Sequence, residues 1–373
     1  MDISELPHKG TSESGLKTAD NEQAALRKEG HIELALDSQV AQKNAGSIFS
    51  KNFHYEPLLG VHPSHSLEFS HQNFENSFVG KRMKWPIMIS SMTGGSRSAG
   101  LINKRLAKTA NRFGLAMGLG SCRALLESKE RLSDFDVRAD LGEESPLFAN
   151  IGINQLESLV ENKELDRLEE LVEILRCDGI IVHINPLQEW FQPEGDRLQK
   201  PAIETLKSFI KNFKYSVIVK EVGQGFGPQS LKELLKLPLT AIDLSGFGGT
   251  NFSKLESLRL EEKCSRSFQQ GLIGQGHSNV EMLQFIEDIF NDDQNLFKQV
   301  RERKTKLIFS GGIKDFLEGI GFIEASPISA LYAQAKDFLV HAMNSQEELD
   351  EYVQSQIEGI QLVQQFFKTK GGD

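Results

Sequence analysis

The stretch His183-Ile184-Asn185-Pro186-Leu187-Gln188-Glu189 places an imidazole, two carboxamides and a carboxylate within seven residues, and Gln192-Pro193-Glu194-Gly195-Asp196 follows closely. A lone loop glutamate is ordinarily solvated. Beside a bound phosphate, however, Glu189 could hold Mg²⁺, a cation that keeps several waters and bridges substrate phosphates through one or two carboxylates. His183 and Asn185 could donate hydrogen bonds to the same anion. Val219-Lys220-Glu221 sets a lysine at the end of a second apolar run. Facing inward, such a cation would stabilise an anionic ring system or an oxyanion. Facing outward, it would be a rim lysine snorkelling to water.

Two glycine-rich stretches could bring backbone close to a ligand. Ser310-Gly311-Gly312-Ile313-Lys314 follows an apolar run and precedes a helical one. There, free N–H groups and a helix N-terminus favour a phosphate. Ser245-Gly246-Phe247-Gly248-Gly249-Thr250-Asn251 could admit a flat ligand. Gly223-Gln224-Gly225-Phe226-Gly227 lacks the third glycine of a dinucleotide fingerprint at its required place, which excludes a Rossmann reading. Arg27, Lys28 and His31 lie on a short predicted helix, with Arg27 and His31 on one face. They read equally well as an anion contact and as a solvated basic patch. Cys122 has no neighbour that would depress its pKa and reads as packing.

The elements that must position these residues alternate. Apolar runs at 86–91, 116–118, 147–150, 179–183, 217–220, 241–244, 307–310 and 329–332 are predicted strands. Helical patterns at 100–113, 156–175, 201–213, 229–235 and 279–290 fall between them. Eight strand–helix units imply a parallel sheet closed into a (β/α)₈ TIM barrel, because polar residues end nearly every strand. In a barrel those ends share one mouth, where active sites are built. Residues 1–80 read as an N-terminal arm and residues 81–373 as the barrel with a C-terminal helix. That helix, 346–370, has a capping box from Ser345 and Glu348 and reads as packing alone.

The whole-chain numbers narrow the partners. With 373 residues, a net charge of −10 and no long Lys/Arg block, nucleic acid is not an expected partner. A small phosphate ester remains compatible. Three scattered cysteines form neither a disulfide framework nor a zinc site and fit a reducing compartment. A polar N-terminus and the lack of any long apolar run lead us to expect a cytoplasmic protein without membrane contact.

Together these residues resemble one family. Arg27-Lys28-Glu29-Gly30-His31, Ser91-Met92-Thr93-Gly94-Gly95, Gly120-Ser121-Cys122-Arg123, Ala149-Asn150-Ile151-Gly152, the stretch from His183 to Asp196, Val219-Lys220-Glu221, Ser245 to Asn251 and Ser310-Gly311-Gly312 follow the order of the type 2 isopentenyl diphosphate isomerases. The likeness runs from about residue 25 to 340. It implies an FMN-binding barrel that uses Mg²⁺ and NADPH as reductant, forms a homo-oligomer (tetramer or octamer) and interconverts isopentenyl and dimethylallyl diphosphate in isoprenoid biosynthesis. By the same resemblance Ser91, Met92, Thr93, Ser121, Asn150, Lys220, Ser245, Thr250, Gly311, Gly312, Ala335 and Lys336 would line FMN. Arg27, Lys28, His31, Arg123, His183, Asn185 and Gln188 would meet the substrate, and Glu189 would hold Mg²⁺. Gln188, Lys220 and His183 would take part in catalysis. Two stretches depart from the family: Gly271-Leu272-Ile273-Gly274-Gln275-Gly276, and Ala333-Gln334-Ala335-Lys336 where Gly-x-Ala-Gly is usual. The rival readings are another FMN-barrel oxidoreductase that transfers hydride and a non-catalytic flavin or phosphate sensor.

Overall fold

Eight short apolar runs form the strands of a closed barrel: β1 (Ile87–Ile89), β2 (Ala116–Gly118), β3 (Leu147–Gly152), β4 (Gly179–Ile184), β5 (Ser216–Glu221), β6 (Ala241–Asp243), β7 (Lys306–Phe309) and β8 (Ala330–Gln334). The computed structural model describes residues 53–63, 68–91, 97–192, 195–259 and 271–369. Every strand pairs in parallel with its sequence neighbour, and β8 pairs with β1 to close the ring. Parallel strands under an outer layer of helices are buried on both faces. Accordingly, every residue of β1, β2, β3, β6, β7 and β8 is buried.

The helices carry their apolar stripes inward, as Arg97–Phe113, Ala202–Lys211, Pro228–Lys236 and Asn279–Asp292 do. The single helix predicted over 156–175 is two, Ile153–Glu161 and Asp166–Ile174. The break is a Schellman motif: Lys163 turns left-handed at φ 58, and the Glu164 N–H reaches the Leu159 carbonyl at 2.8 Å. Lysine at that place hides the signal a glycine would have given.

Residues 53–80 pack on the barrel through separate aromatics instead of a periodic face. Phe53, Phe69, Phe74 and Phe78 are all buried. Phe78 sits in a hairpin, Ser77–Phe78 against Lys81–Arg82, whose turn residues Val79 and Gly80 both have positive φ. Its ring lies 5.2 Å from Phe148, next to the start of β3. Strand Phe53–Tyr55 pairs antiparallel with Phe367–Thr369, which follows the long C-terminal helix Gln346–Phe366. Among the described residues no helix is long and apolar enough to cross a membrane.

Candidate active site

A cavity of about 530 Å³ opens at the C-terminal ends of the strands, within the size range of small-molecule sites. Ser91, Ser121, Asn150, His183, Gln188, Lys220, Ser245, Thr250, Gly311, Gly312, Ala335 and Lys336 all line it. The polar strand ends therefore converge, as a closed barrel requires. Arg27, Lys28, His31, Met92 and Thr93 lie outside the described residues.

His183, near the end of β4, is fixed by Asn150 of β3. The Asn150 amide nitrogen donates to the Leu119 carbonyl at 3.0 Å, so its oxygen faces the His183 Nδ1 at 2.7 Å. That orientation assigns the proton to Nδ1 and leaves Nε2 as an acceptor. Burial, helped by the Lys220 charge, lowers the His183 pKa to about 4. The sign of the pH effect follows. An unfolded histidine titrates near 6.5 and takes up its proton before the native one does, so the stabilisation is complete above about pH 6.5 and is lost as pH falls toward 4. The expected loss is up to about 3 kcal/mol, and His183→Asn should flatten that part of a denaturant-measured stability–pH curve. An unchanged slope in the variant would remove His183 from this account.

Lys220 of β5 is buried, and it donates to the Glu221 carbonyl at 2.9 Å and to the Ser245 hydroxyl at 3.0 Å. Its ammonium also lies 3.5 Å from the Asp243 carboxylate of β6. Asp243 is only 1% exposed and accepts further bonds from the Ser310 hydroxyl and the Ser245 N–H. Burial raises its pKa, while Lys220 and these donors pull the other way. Sequence reasoning missed Asp243. The available signal was a carboxylate inside the apolar run Ala241-Ile242-Asp243-Leu244. Ser245, at φ 45, holds a conformation unusual outside glycine, fixed by these same partners.

Beside Lys220, Glu221 shapes the next loop. One carboxylate oxygen accepts the backbone N–H groups of Gly223, Gln224 and Gly225 at 2.5–2.9 Å. Gly223-Gln224-Gly225 is thus a turn wrapped on a buried carboxylate, consistent with rejecting a dinucleotide fingerprint.

The loops after β6 and β7 interlock. Gly311 and Gly312 have φ values of 73° and 75°, and a Cβ on Gly311 would sit 2.3 Å from the Gly246 carbonyl oxygen. A Cβ on Gly249 would meet the Gly312 nitrogen at 2.7 Å. Asn279 locks the pair by donating to the Ser310 and Gly311 carbonyls at 3.0 and 2.8 Å. The helix Lys336–Asn344 starts at the same rim without a side-chain cap. Close-packed glycine turns after β6 and β7 and an open helix N-terminus after β8 suit a phosphate group. The buried Ser91 hydroxyl, which has no partner among the described residues, offers a further polar contact toward a ligand in the cavity.

Asn185, Glu189 and Arg123 stand outside the cavity wall. Asn185 is buried, its amide donating to Glu189 at 3.0 Å and toward Gln188 at 3.3 Å. The second Glu189 oxygen accepts the Asp196 N–H at 3.0 Å. Arg123 is about half exposed and lies 3.6 Å from the Asp196 carboxylate. Among the described residues no group of three or more His, Cys, Asp or Glu is placed to hold a metal. Glu189 therefore fits Mg²⁺ only in a form that draws its other ligands from water and a substrate. Glu256, another buried carboxylate that sequence reasoning missed, accepts from Gln188 at 3.4 Å.

No family model matches the chain. It is 33% identical over 336 residues to the isopentenyl-diphosphate delta-isomerase of Rickettsia felis, covering 90% of both proteins. The chain belongs to the isopentenyl-diphosphate delta-isomerase family. Its barrel agrees with the type 2, flavin-dependent branch that its motifs resemble. Solved structures extend the fold comparison beyond this isomerase family. A mutant flavocytochrome b2 with pyruvate bound aligns at a TM-score of 0.54 and 11% identity, covering 84% of this chain and 72% of that one. A mandelate oxidase mutant with a C4a-OH-FMN adduct aligns at 0.50 and 11% identity, covering 87% and 89%. At such identities these two speak to the barrel alone.

Proposed function

We propose that the chain interconverts isopentenyl and dimethylallyl diphosphate, with FMN in the 530 Å³ cavity, NADPH as the reductant and Mg²⁺ on Glu189. The observation that carries this reading is the meeting of Lys220, His183, Gln188 and the Gly311-Gly312 turn around one cavity, in a chain related over nine-tenths of its length to a named isomerase. FMN is compatible with a barrel of this fold, as the C4a-OH-FMN adduct of the mandelate oxidase neighbour illustrates for that protein. The stretches after β6 and β7, Ser245–Asn251 and Ser310–Lys314, contain neither His nor Arg, which disfavours a hydroxy-acid oxidase.

The reaction adds a proton at C4, removes one at C2 and passes through positive charge at C3. An alkene is a weak base, so the step needs a strong acid and an electron-rich partner in a dry site. Reduced FMN, when bound, would supply a proton source and an electron-rich face. Lys220, held by Ser245 and Asp243, would supply positive charge to stabilise an anionic ring. Gln188, backed by Glu256, would orient the substrate. Neutral His183 offers only an acceptor at Nε2, so it would meet a phosphate oxygen after taking up a proton on substrate binding. Arg27, Lys28 and His31 of the N-terminal arm, together with Arg123 and Asn185, would hold the diphosphate. Binding energy there, remote from the alkene, would position the reacting carbons. We further propose a cytoplasmic homo-oligomer, a tetramer or octamer.

The test is purification followed by a visible spectrum, reduction with NADPH and assay with Mg²⁺. A yellow preparation that bleaches and converts the substrate is expected. A colourless chain that cannot be reconstituted with FMN would sink the proposal. Glu189→Gln should keep the hydrogen bond from Asn185, give up the one from the Asp196 N–H, lose a metal ligand and raise the Mg²⁺ needed for half-maximal turnover by roughly tenfold or more. Normal turnover at low Mg²⁺ would show that the ligand is elsewhere.

A further inference from the structure

The C-terminal helix Gln346–Phe366, expected from its sequence to be packing alone, reaches the cavity through one side chain. Tyr352 donates its hydroxyl to the Gln334 side-chain oxygen at 3.1 Å. The Gln334 amide nitrogen donates in turn to the Ile313 carbonyl at 3.2 Å. Gln334 is 5% exposed, lines the cavity and ends β8, immediately before Ala335 and Lys336. Ile313 directly follows the Gly311-Gly312 turn. One carboxamide therefore joins the turn after β7 to the turn after β8, and Tyr352 fixes which way that carboxamide points.

The Tyr352 ring is itself held. It stacks on His341 at 4.5 Å and meets Phe338 edge-on at 5.5 Å, both from the helix Lys336–Asn344 whose N-terminus faces the cavity. Tyr352 thus touches both groups that set the phosphate end of the cavity: the carboxamide between the turns and the helix that begins there.

We infer that Tyr352 and Gln334 are positioning residues for the phosphate of the flavin cofactor, holding the Gly311-Gly312 turn and the Ala335-Lys336 turn at a fixed separation. This rests on the FMN reading above. Neither residue need touch the flavin ring. Their loss should be felt at the phosphate and not at the chemistry.

The experiment compares FMN with riboflavin, which has the same ring and no phosphate, by fluorescence titration of the full-length apoprotein. Tyr352→Phe keeps the ring and its stacking and removes one hydroxyl, so folding should survive, as a thermal melt would verify. The expected result is FMN binding weakened roughly fivefold to tenfold, the worth of one hydrogen bond, with riboflavin binding unchanged. Gln334→Leu should do the same or more, and the double variant should be no worse than Gln334→Leu alone. At saturating FMN, kcat of Tyr352→Phe should stay near wild type. Equal weakening of both flavins, or of neither, would overturn the inference. A wild-type chain that binds no flavin would overturn the cofactor reading itself, and that result appears before any substitution is made.

Discussion

Lys220→Met should lower kcat/KM by at least about a hundredfold, the scale seen when one preorganised charge or donor is removed from an active site. The substitution also orphans Asp243, which is 1% exposed. Removing one member of a buried pair costs about 3–5 kcal/mol, because the other charge stays desolvated. Asp243 can recover part of that by protonating, and burial already raises its pKa. The native variant would then bind a proton that the unfolded chain releases above its ordinary range near 3.9, so the destabilisation should grow as pH rises. Chemical denaturation at pH 5 and pH 8 separates the two effects: the larger deficit should appear at pH 8. Adding Asp243→Asn should restore much of the stability and none of the activity. If Lys220→Met turned over normally, the Lys220 charge would have no role in the reaction.

Gly311→Ala should be among the more damaging single-methyl additions at the described glycines. The residue sits at φ 73°, and the new Cβ would fall 2.3 Å from the Gly246 carbonyl oxygen and 2.7 Å from its nitrogen. Both are backbone atoms, so no side chain can swing away. The left-handed conformation costs about 1–2 kcal/mol for a residue with a Cβ, and overpacking adds about 1–3 kcal/mol. FMN retention should be lost with it, because the displaced turn is the one the phosphate would rest on. Gly312→Ala has a similar φ, but its nearest atom lies at 3.2 Å, so the damage should be smaller. Gly271→Ala, with nothing within 4 Å, should be silent. Denaturant melts and flavin release across these three variants test the order, and equal behaviour of Gly311→Ala and Gly271→Ala would refute the packing account.

The eight strands and the mouth they share were legible because an apolar run ending in Ser, Asn, His or Lys carries both fold and site in one signal. Asn150, His183, Lys220 and Gly311 each ended or followed such a run, and all four meet at the cavity. What could not be read depends on three-dimensional pairing. Asp243 sits within its apolar run, and nothing in the sequence says that Lys220, on the preceding strand, would reach it. The helix break at Lys163 was hidden because a Schellman turn had been filled by lysine. The described residues of 53–80 have no period because their buried aromatics, among them Phe69 against Phe74 at 5.3 Å, come from short strands and loops. Tyr352 read as one more side chain on an amphipathic helix, since its hydroxyl partner, Gln334, comes from a different element.

The short antiparallel pairing of Phe53–Tyr55 with Phe367–Thr369 acts as a clasp between distant parts of the chain. Tyr55 and Phe53 both rest on the Phe367 ring, at 5.2 and 6.4 Å. Trimming the chain after Phe366 would unfasten Phe53–Tyr55, while the Glu56 N–H would keep its bond to the Phe366 carbonyl. A protease nick between Phe366 and Phe367 would then register at Phe53–Tyr55, some three hundred residues earlier in the chain, through a few shared hydrogen bonds and one aromatic side chain.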